Sequence, residues 1–294
     1  MIGMGVVGLL VLLAIFARPI RIAGMTVQPF AVAPFEPDTI LFLTAEHSGI
    51  GRYAEPSATT LMGTDGSGRD IFSRFLYGGR YSLSIGFVVV FATVFIGVIY
   101  GSVSGYYGGL VDEVLMRILD VIFAFPGLVL ALVIVATLGG GYWQLVLAFV
   151  IPGWAGYARL IRGEILKVKE NEYVTAAKAL GASDRSIIFR HIVPNALAPV
   201  IVQASLSVGT VVIGVAALGF LGVGLSPTTA EWGTMLETAR ETLSPGPGGQ
   251  LAWWATVFPG LGIFLFVMSM NLIGDGINDA LDAQETGVAR GGGG

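Results

Sequence analysis

The chain has 294 residues, of which 54% are hydrophobic and 12% charged, with a net charge of −4 and a mean hydropathy of +0.78. Soluble domains usually carry about 25% charged residues, so the composition excludes an ordinary soluble domain and indicates an integral membrane protein. Cysteine is absent and histidine occurs at His47 and His191 alone, which removes disulfides, thiolate metal sites and cysteine nucleophiles, and no metal site is expected.

No Asp, Glu, Lys or Arg occurs in 1–17, 81–111, 121–158, 192–230 or 242–274. A helix crossing the hydrocarbon core needs about 20 mainly apolar residues, so these windows predict the spans. The first lies near 1–21. Residues 1–33 also admit a cleaved signal peptide ending at Ala31-Val32-Ala33, but the basic leading region is missing and the apolar core is long. A second span is predicted near 82–106, with a short helix over 69–76 ahead of it at the outer interface. The 121–158 window is too long for one span. Gly139, Gly140 and Gly141 interrupt it with poor helix formers, which predicts spans near 118–138 and 142–160 around a tight turn.

The fifth span is placed near 197–223, bracketed by Pro194 and Pro227, although the length of its uncharged window leaves room for a re-entrant piece. A sixth follows near 252–274, and 283–294 reads as a flexible tail. The runs are continuously apolar instead of alternating, which argues against a β-barrel. The expected fold class is therefore all-α, a polytopic membrane protein with six transmembrane helices.

Orientation follows from the basic residues at the span ends. Arg159, Arg162, Lys167, Lys169, Lys178, Arg185 and Arg190 lie in or beside the loop between spans four and five and include every lysine in the chain. That loop is expected in the cytoplasm, which puts both termini there and 22–80 outside. Arg18 and Arg21 oppose this assignment, but Glu36, Asp38, Glu46, Glu55, Asp65 and Asp70 offset the basic residues of the outer segment.

Ion-coupled carriers usually keep an ionisable side chain at membrane depth. Here Asp120 and Asp275 sit at span edges. A Walker A loop needs Gly-Lys-Ser/Thr, yet Lys167, Lys169 and Lys178 follow Leu166, Val168 and Ala177. Energy is therefore expected from a partner.

The segment over 172–195 reads EYVTAAKALGASDRSIIFRHIVPN. Asn171 is placed to cap a short helix over 172–180. Gly181 suits the left-handed position past its end, and Ser183 is placed to cap a second helix that stops before Pro194. Tyr173, Ala176, Ala177 and Leu180 recur at helical spacing and form one apolar stripe, with Thr175 and Lys178 facing away. Such a stripe either docks into a concave surface of another protein or packs on the chain's own spans.

In Ala176-Ala177, Gly181, Ile187-Ile188-Phe189-Arg190-His191 and Pro194-Asn195, this loop resembles the EAA loop of permease subunits in bacterial and archaeal ABC importers. Other motifs resemble the second permease of dipeptide, oligopeptide and nickel importers. They are Gly63-Thr64-Asp65, Gly68-Arg69-Asp70, Ser73-Arg74, Gly79-Arg80, Phe125-Pro126, Gly156-Tyr157-Ala158-Arg159, Trp232-Gly233, Phe258-Pro259-Gly260 and Asn271-Leu272. The likeness runs over 62–282, whereas 1–61, with the first span and the outer segment, diverge. The basic cytoplasmic leader usual in such subunits is missing, which leaves open a start upstream of Met1. The usual Glu of the loop is Thr175 here, with Glu172 one turn earlier.

The resemblance implies a MetI-like permease fold with cytoplasmic coupling helices and a non-catalytic role in peptide import, nickel or another small solute being the alternative. It implies a second homologous permease, two cytoplasmic ATPase subunits that bind the ATP and Mg, and an extracytoplasmic binding protein. The chain itself is expected to hold no cofactor and to contact lipid but no nucleic acid. ATPase coupling is assigned to Glu172, Tyr173, Ala176, Ala177, Leu180, Gly181, Arg185, Arg190, His191, Pro194 and Asn195. Gln203, Ser207 and Asn271 are candidate translocation-path residues, and Arg69, Asp70 and Trp232 are candidates for the binding-protein side. An ATP-independent channel or a scaffold subunit is the rival reading.

Overall fold

The computed structural model describes residues 1–22, 25–28, 31–243 and 251–291. Helix α1 (Ile2–Ile15) has 14 residues, about 21 Å of rise, so the apolar run expected to span to 21 is shorter than the roughly 30 Å hydrocarbon core. It is followed by a small antiparallel hairpin, β1 (Ile20–Ile22) and β2 (Met25–Gln28), the one pair of strands among the described residues.

Helix α2 (Ile71–Tyr107) runs for 37 residues, roughly 55 Å. Its N-cap is Asp70, whose carboxylate accepts from the Ser73 amide at 2.7 Å. The separate outer helix expected over 69–76 is thus the first two turns of the span itself.

Helices α3 (Gly109–Phe123) and α4 (Gly127–Leu138) replace the straight span expected at 118–138, with a bend of 78° between them. The cause is local. Pro126 is the N-cap of α4 with ψ 123°, has no N–H to continue the ladder, and steers Phe125 away from helical geometry. Helix α5 (Tyr142–Val168) follows the triple-glycine turn, which forms as expected with positive φ at Gly139 and Gly141.

The central loop holds α6 (Glu172–Ala179), α7 (Asp184–Ser186), a π-helical turn (Ile187–Ile192) and α8 (Val193–Ala196). Helix α9 (Ala198–Phe220) is the single helix expected from its window. The short α10 (Trp232–Thr238) precedes α11 (Trp253–Gly291), which continues through most of the expected tail. Residues 292–294 of that tail, like 244–250, lie outside the described residues. By length and apolarity α2, α5, α9 and α11 can each cross a membrane, and the bent α3–α4 pair is either a fifth, broken span or a re-entrant loop. The first expected span, near 1–21, corresponds to the shorter α1.

The bundle is built on α2. Its Gly97, Gly101 and Gly105 form a seam against α5 so tight that a Cβ on Gly101 would sit 2.2 Å from the Ala158 carbonyl oxygen. Helix α9 packs by glycine too, since Gly209 meets Val267 and Gly214 meets Phe149, whereas Gly222, at φ +76°, turns the chain in open space where a Cβ would meet no neighbour.

At one end of α2 a polar network ties distant segments together. Arg74, 1% exposed, donates to the carbonyls of Pro37 at 2.9 Å, Thr228 at 3.2 Å and Thr229 at 3.4 Å, and its Nε lies 3.6 Å from Asp65. The Glu231 carboxylate accepts from Ser82 Oγ and the Thr234 amide, both at 2.8 Å. These bonds seat α10 between α2 and α9. Gly233 there lies against Ala216, where a Cβ would stand 2.4 Å from the Ala216 Cα.

Candidate coupling loop and polar groove

The central loop sits at the opposite end of α2. Its first helix closes as a Schellman turn: the Gly181 amide donates to the Lys178 carbonyl at 2.9 Å, and the Ala182 amide to the Ala177 carbonyl at 3.1 Å. That geometry needs a left-handed residue, and Gly181 has φ +80°. Asn171 occupies the N-cap position but makes no side-chain cap bond, contrary to expectation, while Ser183 Oγ accepts from the Ser186 amide at 3.4 Å. The second helix does not stop before Pro194 either. A π-turn precedes the proline, which falls in the first turn of α8 where an amide donor is not required.

The loop has two faces. Its underside is apolar and buried: Val174, Ile187, Ile188, Ile192, Val193 and Ala196 join Tyr157, Ile161 and Ile165 of α5 and Val200 of α9 in one cluster. Polar ties add to it. Tyr106 Oη donates to Asp184 at 2.6 Å, Lys178 Nζ lies 5.1 Å over the Tyr106 ring, and Lys169 Nζ donates to the Gly105 carbonyl at 2.9 Å. The outer face carries the stripe. Leu180 is 88% exposed, and Tyr173, Phe189, Ala176, Glu172, Arg185 and Arg190 are exposed as well, with Ala177 half-buried. Packing of the stripe on the chain's own spans is therefore not what the fold does. His191 is half-buried, and its carbonyl accepts from Asn195 Nδ2 at 2.7 Å, which fixes the exit of the loop beside the exposed Pro194.

Sequence patterning missed Val174, the one fully buried residue of α6. It also missed the ion pairs behind the loop. Arg162 is bidentate to Asp112 on α3, and Arg159 Nη2 lies 2.9 Å from Asp120 with its guanidinium 4.2 Å from the Phe123 ring centre. These pairs brace α3 against α5, so Asp120 is accounted for structurally.

Of the path candidates, Gln203 and Ser207 come together. Gln203 Nε2 donates to Ser207 Oγ at 3.2 Å, and both line a groove of about 260 Å³ with Gly153, Gly156, Tyr157 and Leu160. Asn271 is exposed on α11 and does not line it. The residues expected on the binding-protein side are interior. Arg69, Asp70 and Trp232 are 7%, 2% and 1% exposed. Arg69 pairs with Asp65 at 2.8 Å, and Trp232 stacks on Phe75 and donates from Nε1 to the Phe75 carbonyl at 3.0 Å. Trp232 is thus a packing wedge against α2. Burial pushes the Asp70 carboxyl up, against the hydrogen bonds from Ser73 that pull it down.

Known proteins place this architecture. The dipeptide transport system permease protein DppC of Alkalihalophilus pseudofirmus is 42% identical over 251 residues, covering 85% of this chain and 81% of that protein. The glutathione transport system permease protein GsiD of Pectobacterium atrosepticum is 43% identical over 77% of the chain and 73% of its own length. Its counterpart in Escherichia coli O6:H1 is 40% identical over 95% of the chain and 84% of its own length. Among solved structures, a subunit of an amino acid ABC transporter superposes with a TM-score of 0.52 at 18% identity, over 72% of this chain and 94% of that one. One from the inward-facing MetNI methionine ABC transporter gives 0.53 at 16% identity, over 69% and 96%. At that identity the likeness speaks for the fold alone. Residues 94–286 match the model of binding-protein-dependent transport system inner membrane components, and the chain belongs to that family.

Proposed function

We propose that this chain is the permease subunit of an ATP-driven peptide importer, non-catalytic itself, and that it forms the pathway with a second, homologous permease. Two cytoplasmic ATPase subunits bind the ATP and Mg and grip the 172–195 loop, and an extracytoplasmic binding protein delivers the solute. Both termini and the loop face the cytoplasm in this reading, in keeping with the cluster of basic residues around the loop. Peptide as the cargo rests on the relatives named for dipeptide and glutathione transport.

The observation that carries the proposal is the two-faced loop. An exposed apolar edge with Leu180 at its tip is mounted on an underside sunk between α5 and α9. A partner that moves the edge moves both helices, because the buried cluster does not shear freely. ATP drives such a cycle only if it favours one of the two permease states, since a ligand of equal affinity for both shifts nothing.

The test is uptake of a labelled dipeptide by cells whose own copy of this gene is replaced by an Ala177→Glu variant. The reading expects an ATP-hydrolysing subunit to co-purify with the parent chain and to be lost, together with uptake, in the variant, at unchanged membrane levels of the chain. Uptake that persists without any bound ATPase would refute it in favour of a self-sufficient channel.

A further inference from the structure

The groove between α5 and α9 holds a group that the fold leaves unused. Tyr157 is 5% exposed, and its hydroxyl is buried beside Ser207 without a hydrogen bond of ordinary geometry. Leaving a buried hydroxyl unpaired costs about 1–3 kcal/mol, and a fold tolerates that where something else completes the bond. Tyr157 lines the same groove as Ser207 and Gln203, the latter exposed. The groove lies well inside the bundle's length. Tyr157 comes 15 residues after the start of α5 and Ser207 nine after the start of α9, about 23 Å and 14 Å along their helices.

The lining chemistry is specific in kind. Two hydroxyls and one carboxamide supply donors and acceptors together, and no lining residue is ionisable other than the tyrosine itself. A charged headgroup or a bare cation would find no counter-charge there. An uncharged amide would find both of its hydrogen-bonding halves matched. Gly156 keeps the floor low, since a Cβ built there meets nothing within 4 Å, while Gly153 is packed against Thr93.

We infer that the groove lined by Tyr157, Gln203 and Ser207 is a solute subsite that holds a neutral amide group, such as a peptide bond, on its way across the membrane. The inference rests on the importer reading above and adds to it where the solute is held and by what chemistry. Tyr157 is the discriminating residue, because it pulls stability and transport in opposite directions. Removing an unpaired buried hydroxyl relieves the fold, while removing a ligand contact weakens transport.

The test measures uptake of labelled dipeptide and glutathione in cells carrying Tyr157→Phe, Gln203→Leu or Gly156→Trp, alongside the thermal midpoint of each purified chain and recovery of its transport complex. Tyr157→Phe is expected to lower uptake roughly threefold to tenfold, the worth of one hydrogen bond, at an unchanged or raised midpoint. Gln203→Leu is expected to act in the same direction, and Gly156→Trp to block uptake with the complex still assembled. If the parent chain imports and all three variants match it, the subsite is wrong and the importer reading stands. If the variants lose uptake only by losing the complex, the groove is a subunit contact and the inference falls. If the parent chain imports neither solute, the peptide reading and the amide subsite fall together.

Discussion

Leu180 and Val174 lie on the same short helix and make opposite predictions. Leu180 is 88% exposed in the isolated chain and Val174 is 0% exposed. Leu180→Ala therefore removes little packing, and the folded chain should change by no more than about 0.5 kcal/mol, as surface substitutions do. If a partner groove buries the leucine, the same substitution forfeits about 2 kcal/mol of apolar burial, which is roughly a thirtyfold loss in affinity for the ATPase subunits. Val174→Ala takes two carbons out of the buried cluster. At about 0.8 kcal/mol per buried carbon plus a cavity term, it should cost the chain about 2–3 kcal/mol. The assay pairs thermal unfolding of the detergent-purified chain with titration of ATPase subunits against it. Leu180→Ala should leave the midpoint in place and weaken association, whereas Val174→Ala should lower the midpoint. A Leu180→Ala chain that melts early, or binds its ATPase as tightly as the parent, would refute the two-faced account of the loop.

Other substitutions probe the far end of the bundle. Arg74→Met strands the Pro37, Thr228 and Thr229 carbonyls and one flank of Asp65, and should destabilise the chain by about 3 kcal/mol in thermal unfolding. Gly233→Ala forces a methyl group against the Ala216 backbone and should cost about 1–3 kcal/mol, with proteolysis near α10 as a local readout. At Asp70, burial raises the folded carboxyl above its ordinary 3.8. The folded state therefore binds the proton more tightly, and this residue's contribution to stability is complete below pH 3.8 and is lost as pH rises through the raised value. Asp70→Asn keeps a capping oxygen and removes the charge, so it should flatten that pH dependence and leave neutral stability equal or higher. Asp70→Ala should lose about 1 kcal/mol of helix capping instead, and unfolding midpoints between pH 4 and 8 distinguish the two.

Long helices are legible in this chain because a charge inside hydrocarbon is costly, so charge-free windows mark where α2, α5, α9 and α11 run. The glycine signals at 139–141 and 181 are equally direct, since each demands a backbone geometry that other residues avoid. The break at Pro126 is harder to read. Residues 121–138 are uniformly apolar, and Phe125-Pro126 is its single local mark. Helical spacing picks out Tyr173, Ala176, Ala177 and Leu180 as a face but does not say that the face points outward. Val174 sets the inside, and it does so through contacts with α5, α9 and the π-turn. The burial of Arg74 and Glu231 is not legible in the sequence because their partners lie up to 155 residues away. The burial of Trp232 is hidden for the same reason, its pocket being assembled from Phe75 and glycines of other helices.

The bend between α3 and α4 bears on how the chain is made. A proline accounts for the break, but the partners that hold α3 at its angle, Arg159 and Arg162, are synthesised well after Asp112 and Asp120. The proline can break the helix as soon as it is made, whereas the two ion pairs that brace α3 against α5 can close only after Arg159 and Arg162 have been added.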